Sequence, residues 1–555
     1  MDRTNIVLAG EAGQGIQAVE NLLARILKEE GFHIFATKEF MSRIRGGANS
    51  TTISVSAKPV RAWYEKADIF VPLNAEAAER YRDRLSEKTV VVSDGSTFAG
   101  AGIEVPFARF AKELGSPLFA NSIAAGVLLS LLGIEKESGE SYLRKAFGHK
   151  GDDVVEKNVK ALSFGYEAAG LQAGRFASER PAKAGGRILL NGSKAVALGA
   201  VAGGCNACFA YPMSPSTAVF TALAGLSKDH DIAVEQVEDE IGVINMAIGC
   251  WYAGGRALVT TSGGGFALMT EGVSLAGMTE TPVVVHLAQR PGPATGLPTR
   301  TEQGDLNLAL YAGHGTFPRI VLAPGNLEQA IELSAKAFNL ADRYQVPVFL
   351  LTDQYLLDSY YDMEEPAEFP RPEYHVVETA EGYRRYEITP DGISPRGIPG
   401  FGRGLVAADS DEHDEYGRIT EDLSGVSMRM KKKRLGKAQT VASNVMEPVL
   451  YGDEEYDTLI VGWGSTHNAI LEAVDALGAK RLAFLFQPQL YPVHPSVHSY
   501  LGRASKIIDI ENNTTGQLAD LLEMVTGARI EDRILRFDGL AFSVERLVQE
   551  LRERL

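Results

Sequence analysis

Residues Val234–Gly272 read VEQVEDEIGVINMAIGCWYAGGRALVTTSGGGFALMTEG, and the stretch turns from acidic to almost wholly apolar within a few positions. A helix beginning near Glu238 places Glu240, Val243, Ile244 and Ala247 on one face at i, i+3, i+4 and i+7, so a carboxylate shares the stripe that packs inward. A run of three acids also suits a helix first turn, where the macrodipole favours negative charge. The pattern alone therefore leaves Glu240 as either a helix-end acid or a buried functional carboxyl. Downstream, ALVTT reads as a strand end, SGGG as a turn and FALMTEG as the next helix. That alternation belongs to an α/β layer structure.

Working outward, GRILLNGSKAVALGAVAGG opens the same unit, and RALVTTSGGGF, TPVVVHLAQ and QVPVFLLTD add short β-rich runs separated by helical spacers. The implied sheet is largely parallel and covered on both faces. Ahead of it, the strand TNIVLAG, the turn GEAGQG, the helix IQAVENLLARILKEEG and the strand HIFATKEF form a βαβ opening of the doubly wound kind, continued by ADIFVPL and TVVVSDG. Residues 363–447 are rich in proline, glycine and charge, with few periodic stretches, and a span of that kind is functional or an interaction arm. DTLIVGWGSTHNAILEAVDAL, RLAFLFQP and ASKIIDIENN then return to strand, turn and helix. The expected division is 1–183, 184–362, an irregular arm 363–450, and 451–555.

The 555 residues, 45% hydrophobic and 23% charged, have the composition of a globular multidomain protein. A net charge of −16 argues against wrapping nucleic acid or docking on an anionic membrane. The one strongly basic run, KKKR at 431–434, reads as a solvated face. No apolar run approaches the roughly 20 residues of a membrane span, and IAAGVLLSLLGI reads as a core helix. The acidic, glycine-containing start lacks a secretory apolar core. Three cysteines give no disulfide framework, so a cytoplasmic location is expected. Cys205 and Cys208 form a CxxC that either packs a helix end or serves as a redox dithiol.

Several stretches carry chemistry. In GEAGQG, Gly13 and Gly15 leave backbone N–H groups at a helix N-terminus suited to phosphate, and Arg43 and Arg45 in SRIRGGANS add cations. Glu39 stands where a ribose-binding acid of a dinucleotide site belongs. In AYPMSPSTAVF the prolines bracket Ser214, a ligand candidate, whereas Ser216 and Thr217 suit a helix cap. Arg290 follows a strand and precedes a Pro/Gly loop, the place where an open parallel sheet meets an anion.

These motifs occur in an order that resembles one family. YPMSPST resembles the YPITPSS signature of the 2-oxoacid:ferredoxin oxidoreductases, VEDEIGVINMAIGCWYAGGRALVTTSGGGFALMTEG their pyrimidine-binding domain, and QRPGPATGLPTRTEQGDL the loop after it. DSDEHDEYGRITED, VGWGSTHNAILEAV and ENNTTGQLADLL resemble later parts of the same subunit, and GEAGQG with RIRGG resembles its small gamma domain. Met213 and Ser214 stand where Ile and Thr are commoner, and TSGGG where a proline is usual. The resemblance implies a multidomain α/β fold: a gamma domain, a pyrimidine domain of the thiamine-diphosphate-binding type, and a transketolase C-terminal-like domain.

It further implies an alpha subunit converting a 2-oxoacid, coenzyme A and ferredoxin to acyl-CoA, carbon dioxide and reduced ferredoxin. 2-Oxoglutarate is the favoured substrate; pyruvate and branched or aromatic 2-oxoacids stay open. Glu240 would activate thiamine diphosphate by hydrogen bonding its pyrimidine nitrogen. Thr261, Ser262 and Gly263 would line the cofactor, Ser214 and Arg290 would take the substrate carboxylate, and Gly13, Gly15, Arg43 and Arg45 would contact coenzyme A. No Gly-Asp-Gly offers a Mg²⁺ site, and no cysteine set offers a [4Fe-4S] cluster. The resemblance assigns both to a separate beta subunit, in a heterodimer or a dimer of heterodimers. A nicotinamide-dependent dehydrogenase and a noncatalytic assembly subunit are the alternatives of other classes.

Overall fold

The computed structural model describes residues 3–41, 47–95, 97, 102–183 and 185–555. It divides into two compact units: Met1–Leu190 with Asp358–Glu365 and Ser543–Arg546, and Asn191–Leu357 with Pro366–Phe542 and Leu547–Leu555. Among the described residues no helix is long and apolar enough to cross a membrane.

The first unit is built on an eight-stranded sheet in the order Ile103–Glu104, Val90–Ser93, Ile69–Pro72, Arg3–Gly10, Asn49–Ser56, His33–Glu39, Tyr360–Glu364 and Arg187–Asn191. Its first four strands are parallel, as a doubly wound opening requires. The expected direct βαβ pair is corrected by a strand the sequence reading missed. Asn49–Ser56 lies antiparallel between Arg3–Gly10 and His33–Glu39. It reads NSTTISVS, whose hydroxyl side chains hide a strand that is buried at every position. Arg187–Asn191, read as opening the second α/β unit, joins this sheet too. The Ala120–Leu131 helix is buried nearly all round, as its apolar run predicts.

The second unit holds a seven-stranded sheet in the order Gln489–Tyr491, Ile320–Leu322, Pro347–Asp353, Val283–Gln289, Ala257–Thr261, Ala207–Ala210 and Ala233–Gln236. All pairings are parallel except that of Gln489–Tyr491. Strands such as VVVHLAQ are buried at every residue, which is what helices on both faces produce. A five-stranded sheet follows: Val449–Gly452, Leu482–Phe486, Thr458–Gly462, Lys506–Glu511 and Asp532–Leu535.

Two expectations for the arm fail. A 17-residue helix, Val426–Ala442, runs through it. The KKKR run lies on that helix and is not solvated as a whole. Lys433 and Lys437 both pair with Glu280, Lys433 at 2.6 Å, and Arg434 pairs with Glu412 at 2.9 Å. The helix escapes the usual periodicity because its inward stripe is cationic, packed on a buried acid, rather than apolar.

Candidate functional site

Four parallel strands of the second unit end on one edge of the sheet, and each delivers one part of a site. Ala207–Ala210 leads into Tyr211–Ser214, Ala233–Gln236 into Glu240, Ala257–Thr261 into the Ser262–Gly265 turn, and Val283–Gln289 into Arg290. The order of the chain thus becomes a cluster in space.

Glu240 is the first residue of the Glu240–Tyr252 helix, with Asp239 as N-cap accepting the Gly242 N–H at 2.7 Å. The cap satisfies the helix end, which leaves Glu240 free of that duty. Glu240 is only 4% exposed and lies on the same buried face as Val243, Ile244, Ala247, Ile248 and Trp251. Among the described residues its carboxyl has no hydrogen-bond or ion-pair partner, and what little of the residue is exposed leaves its oxygens in touch with solvent, open to a ligand. It faces the N-terminal turn of the Gly263–Met278 helix. A Cβ on Gly265 would stand 2.7 Å from Glu240 Oε1 and would collide with Thr261 Oγ1. Gly265 therefore keeps open the notch into which both oxygens point.

Ser262 caps that turn by position, yet its buried hydroxyl makes no hydrogen bond. Gly264 lies under Ala294 O at 3.7 Å and Met213 Sδ at 3.9 Å, measured from where its Cβ would be. Arg290 Nη1 donates to Ser214 O at 2.7 Å. The structure thus brings the predicted pair together, but through the Ser214 carbonyl, leaving the Ser214 side chain exposed. Ser216, at the N-cap position, donates to Met213 O at 2.6 Å rather than accepting a helix N–H.

Asp305 stands at the end of the QRPGPATGLPTRTEQGDL loop and carries no local signal of a site residue in the sequence. Its N–H donates to Gln289 Oε1 at 3.0 Å, and its carboxyl oxygens lie 2.5 and 2.6 Å from where a Gly263 Cβ would stand. Burial, with the Glu302 charge adding and Arg290 opposing, pushes its pKa up to about 7. Burial lowers the Arg290 pKa, against the Asp305 charge. The loop is fixed by neighbours around the third sheet. Gln303 N–H donates to Asn512 O at 2.6 Å, Asn512 N–H to Gln303 Oε1 at 2.8 Å, and Gln303 Nε2 to Trp463 O at 2.7 Å. Gln517 Nε2 donates to Gly304 O at 2.8 Å.

His286 is fully buried between the Thr260 and Thr352 hydroxyls at 2.8 Å each, and burial lowers its pKa to about 3, so it is a neutral core residue. Cys205 and Cys208 are buried, and desolvation raises both thiols, Cys205 to about 12. The packing reading of the CxxC is the one this environment supports.

In the first unit, Gly13 and Gly15 have φ of +92° and +84° and lead into the Ile16–Glu29 helix. A cavity of 790 Å³ is lined by Gly13, Gln14, Gly15, Asp94, Lys112 and Asn121, among others. Glu39 is ion-paired with Arg84, so it is not available as a ribose ligand. Arg43 and Arg45 lie outside the described residues.

Comparison with known proteins gives a consistent result. Residues 198–432 match the family model described as pyruvate flavodoxin/ferredoxin oxidoreductase, thiamine diP-binding, and residues 5–168 that of pyruvate ferredoxin/flavodoxin oxidoreductase. A 2-oxoacid:ferredoxin oxidoreductase subunit alpha from a Sulfolobus species is 31% identical, covering 99% of this chain and 96% of the relative. The 2-oxoglutarate oxidoreductase subunit KorA of Mycobacterium tuberculosis is 30% identical over 78% of this chain and 68% of its own. Among solved structures, 2-oxoglutarate:ferredoxin oxidoreductase from Magnetococcus marinus, with 2-oxoglutarate, coenzyme A and succinyl-CoA bound, superposes with a TM-score of 0.94 at 31% identity, covering 100% of this chain and 99% of that one.

Proposed function

Since the chain belongs to the alpha subunits of the 2-oxoacid:ferredoxin oxidoreductases, we propose that it oxidatively decarboxylates 2-oxoglutarate with coenzyme A and ferredoxin, using a site completed by a beta subunit. The observation that carries this reading is Glu240, 4% exposed and with no protein partner at its carboxyl, beside the Gly265 notch. The bare notch, the orphaned Ser262 hydroxyl and Glu240 fit the pyrimidine of thiamine diphosphate. When bound, that cofactor supplies the nucleophilic carbon that attacks the keto group. Glu240 would hold a proton at the pyrimidine ring nitrogen, and Thr261, Ser262 and Gly263 would wall the ring. Arg290 and Ser214 would orient the substrate carboxylate, for which guanidinium geometry is suited.

The need for a partner is supported by helix chemistry. The Thr217–Leu226, Glu240–Tyr252 and Gly263–Met278 helices are apolar around most of their circumference, yet Ile241 and Leu268 are 51% and 54% exposed. A helix that is apolar all round belongs in an interior. The beta subunit would cover these faces and bring the diphosphate site, its Mg²⁺ and the [4Fe-4S] cluster from which ferredoxin takes electrons. 2-Oxoglutarate is favoured by the M. marinus complex and the M. tuberculosis relative. The division into gamma domain 1–183, pyrimidine domain 184–362, arm 363–450 and last domain 451–555 belongs to this reading. So does a cytoplasmic location. Gly13 and Gly15 would take coenzyme A at the cavity of the first unit, with Arg43 and Arg45 nearby in sequence.

The test is to copurify the chain with its cluster-bearing partner and measure 2-oxoglutarate- and coenzyme A-dependent viologen reduction. Glu240→Gln should lower kcat by about 10² to 10⁴-fold while thiamine content holds, because Gln keeps the shape and loses the proton-sharing role. Equal rates of proton exchange at the thiazolium carbon in the two complexes would return Glu240 to the helix end.

A further inference from the structure

We propose that Asp305 makes substrate binding proton-coupled: the site accepts the 2-oxoacid anion only when Asp305 carries a proton. The proposal rests on the reading of Arg290 as the carboxylate clamp. Asp305 and Arg290 are bound to the same strand end, since Gln289, the last residue of Val283–Gln289, holds the Asp305 N–H and Arg290 follows it. The Asp305 carboxyl presses on Gly263, the first residue of the helix whose N-terminal turn forms the site floor. Its Oδ2 is buried and makes no hydrogen bond.

An ionised carboxyl in that place competes for Arg290 with any incoming carboxylate and repels it in a poorly solvated setting. A protonated one removes the repulsion and presents an O–H donor. The charged groups facing it are Arg290 and, on its own loop, Glu302, while the Gly263 turn packed against it brings none. Burial and Glu302 place its titration at about 7, where the coupling operates at physiological pH. Above that pH, where the free site is ionised, about one proton is taken up from solvent for each substrate anion bound, and below it none is.

The experiment uses the assembled complex. For wild type, the KM for 2-oxoglutarate should be flat below about pH 6.5 and rise roughly tenfold per pH unit above about 7.5, with kcat unaffected in that range. Asp305→Asn, which keeps shape and loses charge, should abolish the slope and hold the low KM at pH 8.5. Calorimetry with oxamate, an unreactive analogue of the 2-oxoacid head group, in two buffers of different ionisation enthalpy at pH 8 should show uptake of about one proton in wild type and none in Asp305→Asn. A slope that persists in Asp305→Asn, or a wild type with no slope and no uptake, overturns the proposal. Arg290→Lys in the same assay separates the two readings. An unchanged KM there refutes the carboxylate clamp, whereas a raised KM beside an unaltered Asp305→Asn profile refutes only the proton coupling.

Discussion

Replacing Gly265 by alanine tests the notch with a single methyl group. Gly265 has an ordinary helical backbone, so alanine should gain about 1 kcal/mol of helix propensity. Against this, the new Cβ stands 2.7 Å from Glu240 Oε1, about 0.7 Å inside the 3.4 Å at which ordinary contact begins, and it meets Thr261 Oγ1 more closely still. Overpacking of that kind costs about 1–3 kcal/mol, so the net loss of stability should be about 0–2 kcal/mol. The melting temperature of the complex should move by only a few degrees. Catalysis should respond far more, because both oxygens must leave their places and a displacement of about 1 Å at a reacting group costs about 10²-fold. The assay is kcat for 2-oxoglutarate-dependent viologen reduction beside a thermal melt. Full activity in Gly265→Ala, or a loss that merely tracks unfolding, would refute the notch as the place where Glu240 works.

Arg290→Lys should raise KM for the 2-oxoacid or lower kcat/KM by about 10- to 100-fold, since an ammonium cannot reproduce the planar two-point contact; steady-state kinetics with several 2-oxoacids checks this. Gly15→Ala, at φ +84° and with a Cβ that collides with the Asn121 amide, should raise the coenzyme A KM about tenfold and spare the decarboxylation half-reaction, read by carbon dioxide release. Glu280→Gln leaves two buried lysines without their counter-charge and should cost about 3–5 kcal/mol in urea unfolding at pH 7. Burial already lowers both lysine pKa values in the wild type, Lys437 to about 8, and loss of the Glu280 charge lowers them further, so below that value the folded wild type holds protons the folded variant has shed, and the deficit should shrink as pH rises toward about 8 and stay level above it. In wild type the Lys437 and Lys433 charges hold Glu280 below its ordinary 4.5 despite its burial, so its stabilisation is present above that value and is lost as pH falls below it.

What the sequence disclosed and what it hid follow one rule. Glu240 was legible because helical spacing puts it in register with Val243, Ile244 and Ala247, and the buried face carries all four. The position of Arg290 was legible, because VVVHLAQ reads as a buried strand and the residue after it falls at the carboxyl edge of the sheet. Asp305 was not, because its place comes from a loop folding back onto Gly263, a contact that no local period encodes. The Val426–Ala442 helix was hidden because Lys433 and Lys437 complete an acid that lies 153 and 157 positions earlier in the chain. The Asn49–Ser56 strand was hidden by hydroxyl side chains inside a sheet. In each case the missing information was a partner distant in sequence.

The hydrogen bonds between Gln303 and Asn512 carry a consequence for how this molecule can change. The corner after the Lys506–Glu511 strand holds the Gln303–Asp305 loop at its backbone, from behind. Both bonds use the Asn512 main chain, so the substitution that tests them is at Gln303, whose side chain takes the Asn512 N–H and donates to Trp463 O; it should register as a shift in pH response, with the chain still folded. The last sheet acts as a mounting for the loop that carries Asp305. Under the proposed proton coupling, the pH response of this architecture can change by two routes, one by exchanging residues on the loop and one by tilting its mount.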